Sequence, residues 1–197
     1  MNDQKDWKDL YTGISYAAWG YFFLYIDFKV STISIFPAFA GYLFFLSAIN
    51  LLSARRREIA LLREFAILLA LWHGAGWLLS WWGGSFNGKI FPLDLIVKVV
   101  ELYFHFQFFT DFAALARECG GGETLGRRIL RLRTVQVLLT TGGVLAVRLP
   151  IASAEYLEVL VFFWAIVAVV VALCLMSALF SLRKCVRESA LTGSLPM

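Results

Sequence analysis

Asp94, Lys98, Glu101 and His105 follow one another at helical spacing inside PLDLIVKVVELYFHFQFFTD, residues 92–111. At about 100° per residue, Lys98, Glu101 and His105 fall within about 40° of Asp94, whereas Asp111 stands about 100° away. A carboxylate, an ammonium group, a second carboxylate and an imidazole thus share one narrow face, joined by i,i+3 and i,i+4 steps that let each reach the next. Such a stripe can bind a small polar solute or an ion, or hold and release a proton, with the imidazole as the group that changes charge near neutral pH.

The second histidine, His73, belongs to the same layer. The apolar stretches 65–82 and 93–115 have their midpoints near His73 and His105, so a 1.5 Å rise per residue puts both rings at about the same depth. His73, Asp94, Lys98, Glu101 and His105 are therefore the candidate ligand- or ion-binding residues. A narrower set, His73, Glu101 and His105, offers two imidazoles and a carboxylate. That set is enough for a zinc ion that activates water, and the two histidines alone are enough for a haem iron. The spacing matches no specific metal signature.

The elements that must carry these groups are membrane helices. The chain has 197 residues, is 60% hydrophobic and 16% aromatic with only 16% charged, and has a mean hydropathy of +0.73. A soluble fold has no means of hiding that much apolar surface. Between clusters of charge run stretches of about 18–25 residues, the length that crosses a bilayer core. They predict an all-α, polytopic integral membrane protein, a single transmembrane domain over residues 1–197. Its six helices are expected at about 10–28, 36–54, 65–82, 93–115, 134–150 and 157–182. The first is long and aromatic and lacks a small-x-small cleavage site, so it reads as a retained helix rather than a signal peptide.

Orientation follows from Lys and Arg. Of 18 such residues, Lys29, Lys89 and Arg148 lie on one side, Lys98 lies within a helix, and the remaining 14 gather on the other side. By the positive-inside rule both termini are cytoplasmic, in a multi-pass protein of the cell membrane. The net charge of +4 is accounted for by this asymmetry and calls for no nucleic-acid partner. The basic loops would touch anionic headgroups at most.

Energetics direct the stripe inward. A charge at the bilayer centre costs roughly 2.5–3.5 kcal/mol, while each Leu, Ile, Val or Phe returns about 0.3–0.6 kcal/mol. The stripe should therefore face other helices, with each charge partnered. Asp27, Asp94 and Arg148 extend the polar series toward the outer side, and Asn50, Gln107, Asp111 and Gln136 toward the inner side. Asn50 and Gln136 read as interhelical hydrogen-bonding residues.

Small residues mark close approaches: Gly13, Ala17 and Gly20 on the first helix, Gly74 and Gly76 on the third, Gly142 and Gly143 on the fifth. WGGSFNGKIFP reads as a tight turn that makes the third and fourth helices a close antiparallel pair. CGGGETLGRR, in the longest polar connection at about 117–133, has the glycine spacing of a phosphate-binding loop. It has Arg127 and Arg128 where Lys and Ser or Thr belong, and no strand before it. VLVFFWAIVAVVVALCLMSALF, without an ionisable group, reads as a lipid-facing anchor. Cys119, Cys174 and Cys185 show no CxxC pairing and are expected as thiols.

In size and topology the chain resembles the six-helix substrate-binding component of energy-coupling-factor vitamin transporters. The resemblance lies in architecture and implies solute binding. Six-helix peptide-processing proteases with a His and Cys pair are a poorer match, because Ser80 rather than Cys stands seven residues after His73. Binding or transport of a small solute, ion or proton is the first reading. An intramembrane metal- or haem-dependent enzyme is the second, and an accessory subunit bound to a partner membrane protein is the third.

Overall fold

The computed structural model describes residues 3–25, 29–30, 33–34, 37–54, 56–82, 84, 91–119, 122–146 and 154–192. The described chain is all-α apart from one small hairpin. Helix α1 spans Asp3–Tyr25, and strands β1 (Lys29–Val30) and β2 (Ile33–Ser34) pair antiparallel with Lys29 opposite Ser34. Helix α2 spans Ala38–Leu52, α3 Arg57–Ala60, α4 Leu62–Ser80, α5 Phe91–Glu118, α6 Gly122–Ala146 and α7 Ala154–Thr192. Pro37 precedes α2 in extended conformation, as a residue that cannot donate to a helix should.

The long helices close into a ring in chain order, with α3 continuing into α4. Helix α1 packs on α2, α2 on α4, α5 on α6 and α6 on α7, and α7 returns to α1. Helix α5 turns one face into the middle, where Phe104, Phe108, Phe109 and Phe112 are fully buried. Phe108 meets Phe45 of α2 edge-on at 4.8 Å, and Phe109 meets Tyr21 of α1 at 5.0 Å, the T-shaped geometry that aromatic quadrupoles favour.

Glycines set the tightest crossing. A Cβ on Gly20 would lie 2.9 Å from the Gly41 carbonyl oxygen, and one on Gly41 2.8 Å from that of Gly20. The two backbones are therefore in mutual contact. Gly13 similarly admits Leu52, and Gly142 and Gly143 lie under the Trp164 ring. The small residues of the first and fifth predicted helices are packing surfaces.

Several expectations change. Two helices, Arg57–Ser80 and Val159–Leu191, are long and apolar enough to cross a membrane, and α2 is apolar but shorter; the sequence predicts six spans. Helix α1 is rich in Tyr and Trp, α5 carries the ionisable stripe, and α6 joins an arginine-rich half to an apolar half, which dilutes their apolar character. The predicted 117–133 connection is mostly helix: α5 runs to Glu118 and α6 starts at Gly122, whose φ of 69° turns the chain. Charged residues end an apolar stretch but not a helix.

The predicted close pair of α4 and α5 is the thinnest contact in the ring; a Cβ on Gly76 would meet nothing within 4 Å. Helix α7 carries most of its exposed apolar residues over residues 159–173, and its C-terminal half buries Leu175, Leu179, Leu182 and Val186 in the core. Most of the predicted outer turn, with Gly83, Asn87 and Gly88, lies outside the described residues, as do Asp27 and Arg148.

Candidate functional site

Three helices build the polar layer: α2 supplies Tyr42, α4 supplies His73, and α5 supplies Asp94, Lys98, Glu101 and His105. Tyr42 sits in the buried register of α2 with Phe45, Ile49 and Leu52, at the i, i+3, i+7, i+10 steps of one helix face.

Glu101 is the centre. Its Oε2 accepts from Lys98 Nζ at 2.7 Å and its Oε1 from the Tyr42 hydroxyl at 3.2 Å. The Lys98 side chain is 50% exposed and that of Glu101 18%, so the ion pair runs from the surface inward. His105, one turn on, is buried against Tyr21, Phe45 and Phe104 at ring distances of 5.9, 6.0 and 5.4 Å. The stripe is therefore graded rather than uniformly inward. Lys98 is exposed, Asp94 and Glu101 are half-buried and His105 is buried.

Both histidines pack on Tyr42. His73 stacks on its ring at 5.2 Å, and His105 lies 6.3 Å away at a tilt. The two imidazoles share a layer with a phenol against both. His73 Nε2 and His105 Nδ1 are buried and have no hydrogen-bond partner. Glu101 spends its two oxygens on Lys98 and Tyr42, and a hydrogen bond from His105 to Glu101 is not among its contacts.

The metal set does not close. Among the described residues no three His, Cys, Asp or Glu side chains are arranged to hold a metal ion, and His73, Glu101 and His105 are all described. The reason is steric: Tyr42 packs on both imidazoles, and Phe45 and Phe104 crowd His105.

A second polar group lies near the C-terminal end of α5. Asp111 is buried despite standing off the stripe. Its Oδ1 accepts from Gln107 Nε2 at 3.1 Å, and Oδ2 has no partner. Arg56, just before α3, donates to the Asp111 carbonyl at 3.5 Å and pairs with Glu118 at 3.3 Å. Gln136 of α6 donates to the Tyr25 hydroxyl, the interhelical bond expected of it, but at the C-terminal end of α1 and not beside Asp111, where the sequence placed it. Asn50 instead is exposed on α2.

Tyr42 is the residue that the sequence hides. Its partner Glu101 lies 59 residues away, and only its place in the buried register of α2 marks it. The layer as a whole combines one carboxylate, one ammonium, one phenol and two imidazoles with unused nitrogens, which together can accept, donate and relay protons or hydrogen-bond a small polar molecule. No protein-family model, no curated protein and no solved structure matches the chain.

Proposed function

We propose that the chain is a multi-pass protein of the cell membrane, crossing it six times with both termini in the cytoplasm. In this reading it binds, and passes across the bilayer, a small solute, ion or proton at the layer of Tyr42, His73, Lys98, Glu101 and His105. The observation that carries the reading is the pair of buried, unpartnered imidazole nitrogens beside a Glu101 already bonded to Lys98 and Tyr42. Buried polar atoms ordinarily have partners, and ionisable residues held among membrane helices mark ion, solute or proton paths. A proton fits best, since it needs no room beyond what those nitrogens offer.

Proteoliposomes loaded with a pH-sensitive dye test this directly. Under an imposed pH gradient the wild-type protein should dissipate the gradient faster than empty liposomes, and Glu101→Gln should return the rate to that baseline. A Glu101→Gln protein as active as wild type would overturn the reading. Neither protein moving protons, with a solute screen by thermal shift also silent, would leave Lys98, Glu101 and Tyr42 as a structural network.

A further inference from the structure

Helices α1 and α7 meet along a seam with two distinct parts. Its upper part is a shallow apolar groove, open to the surface, between Phe22 on α1 and Val169, Leu173 and Met176 on α7. Its lower part holds Arg183. The guanidinium lies 4.9 Å over the Phe180 ring and 5.2 Å over the Tyr11 ring, and Nη1 donates to Ser15 Oγ at 3.5 Å.

Arg183 differs from Lys184 beside it, which pairs with Glu188, and is held as Arg133 is, over a ring and on a hydroxyl. Among the described residues no carboxylate lies within ion-pair distance of Arg183. Two rings and a hydroxyl hold it in position, and most of its five N–H donors remain available. Exposed Arg187 stands one turn away on α7, and exposed Lys8 two turns before Ser15 on α1, and both add positive charge to this end of the seam.

The two parts are in register. Phe22 and Ser15 are seven residues apart on α1, as are Met176 and Arg183 on α7, and the helices run antiparallel. The cation thus lies about 10 Å below the groove, measured along either helix. Phospholipids carry their charge and chains in that order: a phosphate, and acyl chains extending from it into the hydrocarbon.

The geometry points to one occupant: an anionic glycerophospholipid whose phosphate is bound by Arg183, with Ser15 and Arg187 beside it, and one of whose acyl chains lies along Phe22, Leu173 and Met176. The inference rests on the membrane reading above but not on any activity of the Glu101 layer. A bidentate, charge-assisted contact distinguishes this site from the general attraction of basic loops to headgroups.

Native mass spectrometry of the protein released from bilayers tests it. Bilayers of phosphatidylcholine alone are compared with phosphatidylcholine containing phosphatidylglycerol. Wild type should retain one phosphatidylglycerol and no phosphatidylcholine. Arg183→Gln should weaken that retention about ten-fold, and Arg183→Lys should weaken it less. Leu173→Trp, which fills the groove and leaves Arg183 intact, should also weaken it, and it carries the test if Arg183→Gln does not fold.

Equal retention by the variants, equal retention of phosphatidylcholine, or stabilisation by inorganic phosphate alone to the same extent as by phosphatidylglycerol would each overturn the proposal. Carbonate washing of membranes separates the two readings. A protein that washes off refutes membrane insertion. One that stays in the pellet, yet keeps phosphatidylglycerol without Arg183, refutes only the lipid site.

Discussion

Glu101 satisfies its two oxygens with unlike partners, and the difference is measurable. Lys98 supplies charge from a half-exposed position, whereas Tyr42 supplies a buried neutral hydroxyl. Removing the phenol in Tyr42→Phe costs one neutral-to-charged hydrogen bond, about 1.5–3 kcal/mol. Lys98→Met strands a carboxylate that is mostly out of water, and should cost about 1–3 kcal/mol. The same change on a Glu101→Gln background strands nothing. The double variant is therefore expected to be more stable than the sum of the single losses by at least about 0.5 kcal/mol, read from unfolding in detergent micelles. Strict additivity would mean that Lys98 and Glu101 do not interact. The Lys98–Glu101 pair was legible in the sequence, because an i,i+3 step on a helix is local geometry. The phenol from α2 was not, because a contact between residues 42 and 101 depends on how α2 and α5 pack, and no local pattern encodes that.

At the scale of the element, the glycines separate into two kinds that the sequence presents alike. Gly20 and Gly41 hold α1 and α2 backbone to backbone, while Gly76 on α4 faces open space. Gly41→Val must push the Gly20 carbonyl or Leu24 away, and is expected to cost about 1–3 kcal/mol as an overpacked crossing. Gly76→Ala removes an interior glycine from a helix at no steric cost, and should be neutral or stabilising by up to about 1 kcal/mol. Thermal melts of both variants in one detergent check this, and a Gly41→Val protein as stable as Gly76→Ala would disprove the crossing. The number and order of the long helices was readable from hydropathy, since apolar stretches mark each one. Their ends were not: α6 begins at Gly122 and α7 runs to Thr192, because arginine and lysine are good helix formers and continue a helix past the apolar stretch. The same logic explains why Gly126 is helical and packed on Ala113 instead of forming part of a loop.

At the scale of the whole molecule, the question is what covers the outside of the ring. The apolar windows of the α3–α4 and α7 helices are only 22% and 17% buried within the chain, where the core helix of a soluble protein would be mostly enclosed. Leu71 and Leu78 on α4, and Val161, Phe162, Ile166 and Val170 on α7, face outward. Contiguous apolar surface of this kind marks a protein or membrane interaction face, and in the proposed reading hydrocarbon covers it. A single charge distinguishes the environments. Val170 is 52% exposed and lies near the middle of α7, so in a bilayer Val170→Lys places an ammonium at the hydrocarbon centre. The expected cost is about 3 kcal/mol, seen as reduced membrane integration and a lower melting temperature in lipid. Leu191→Lys, at a more open position near the C-terminal end of the same helix, reaches the headgroups in that bilayer and should cost little. In water the order vanishes, since both positions then gain a solvated charge and both variants become more soluble without detergent. A partner protein over α7 gives a third outcome, in which Val170→Lys leaves membrane integration intact and releases the partner. The bilayer reading stands on the contrast between the two lysines, and equal behaviour of the pair would remove it.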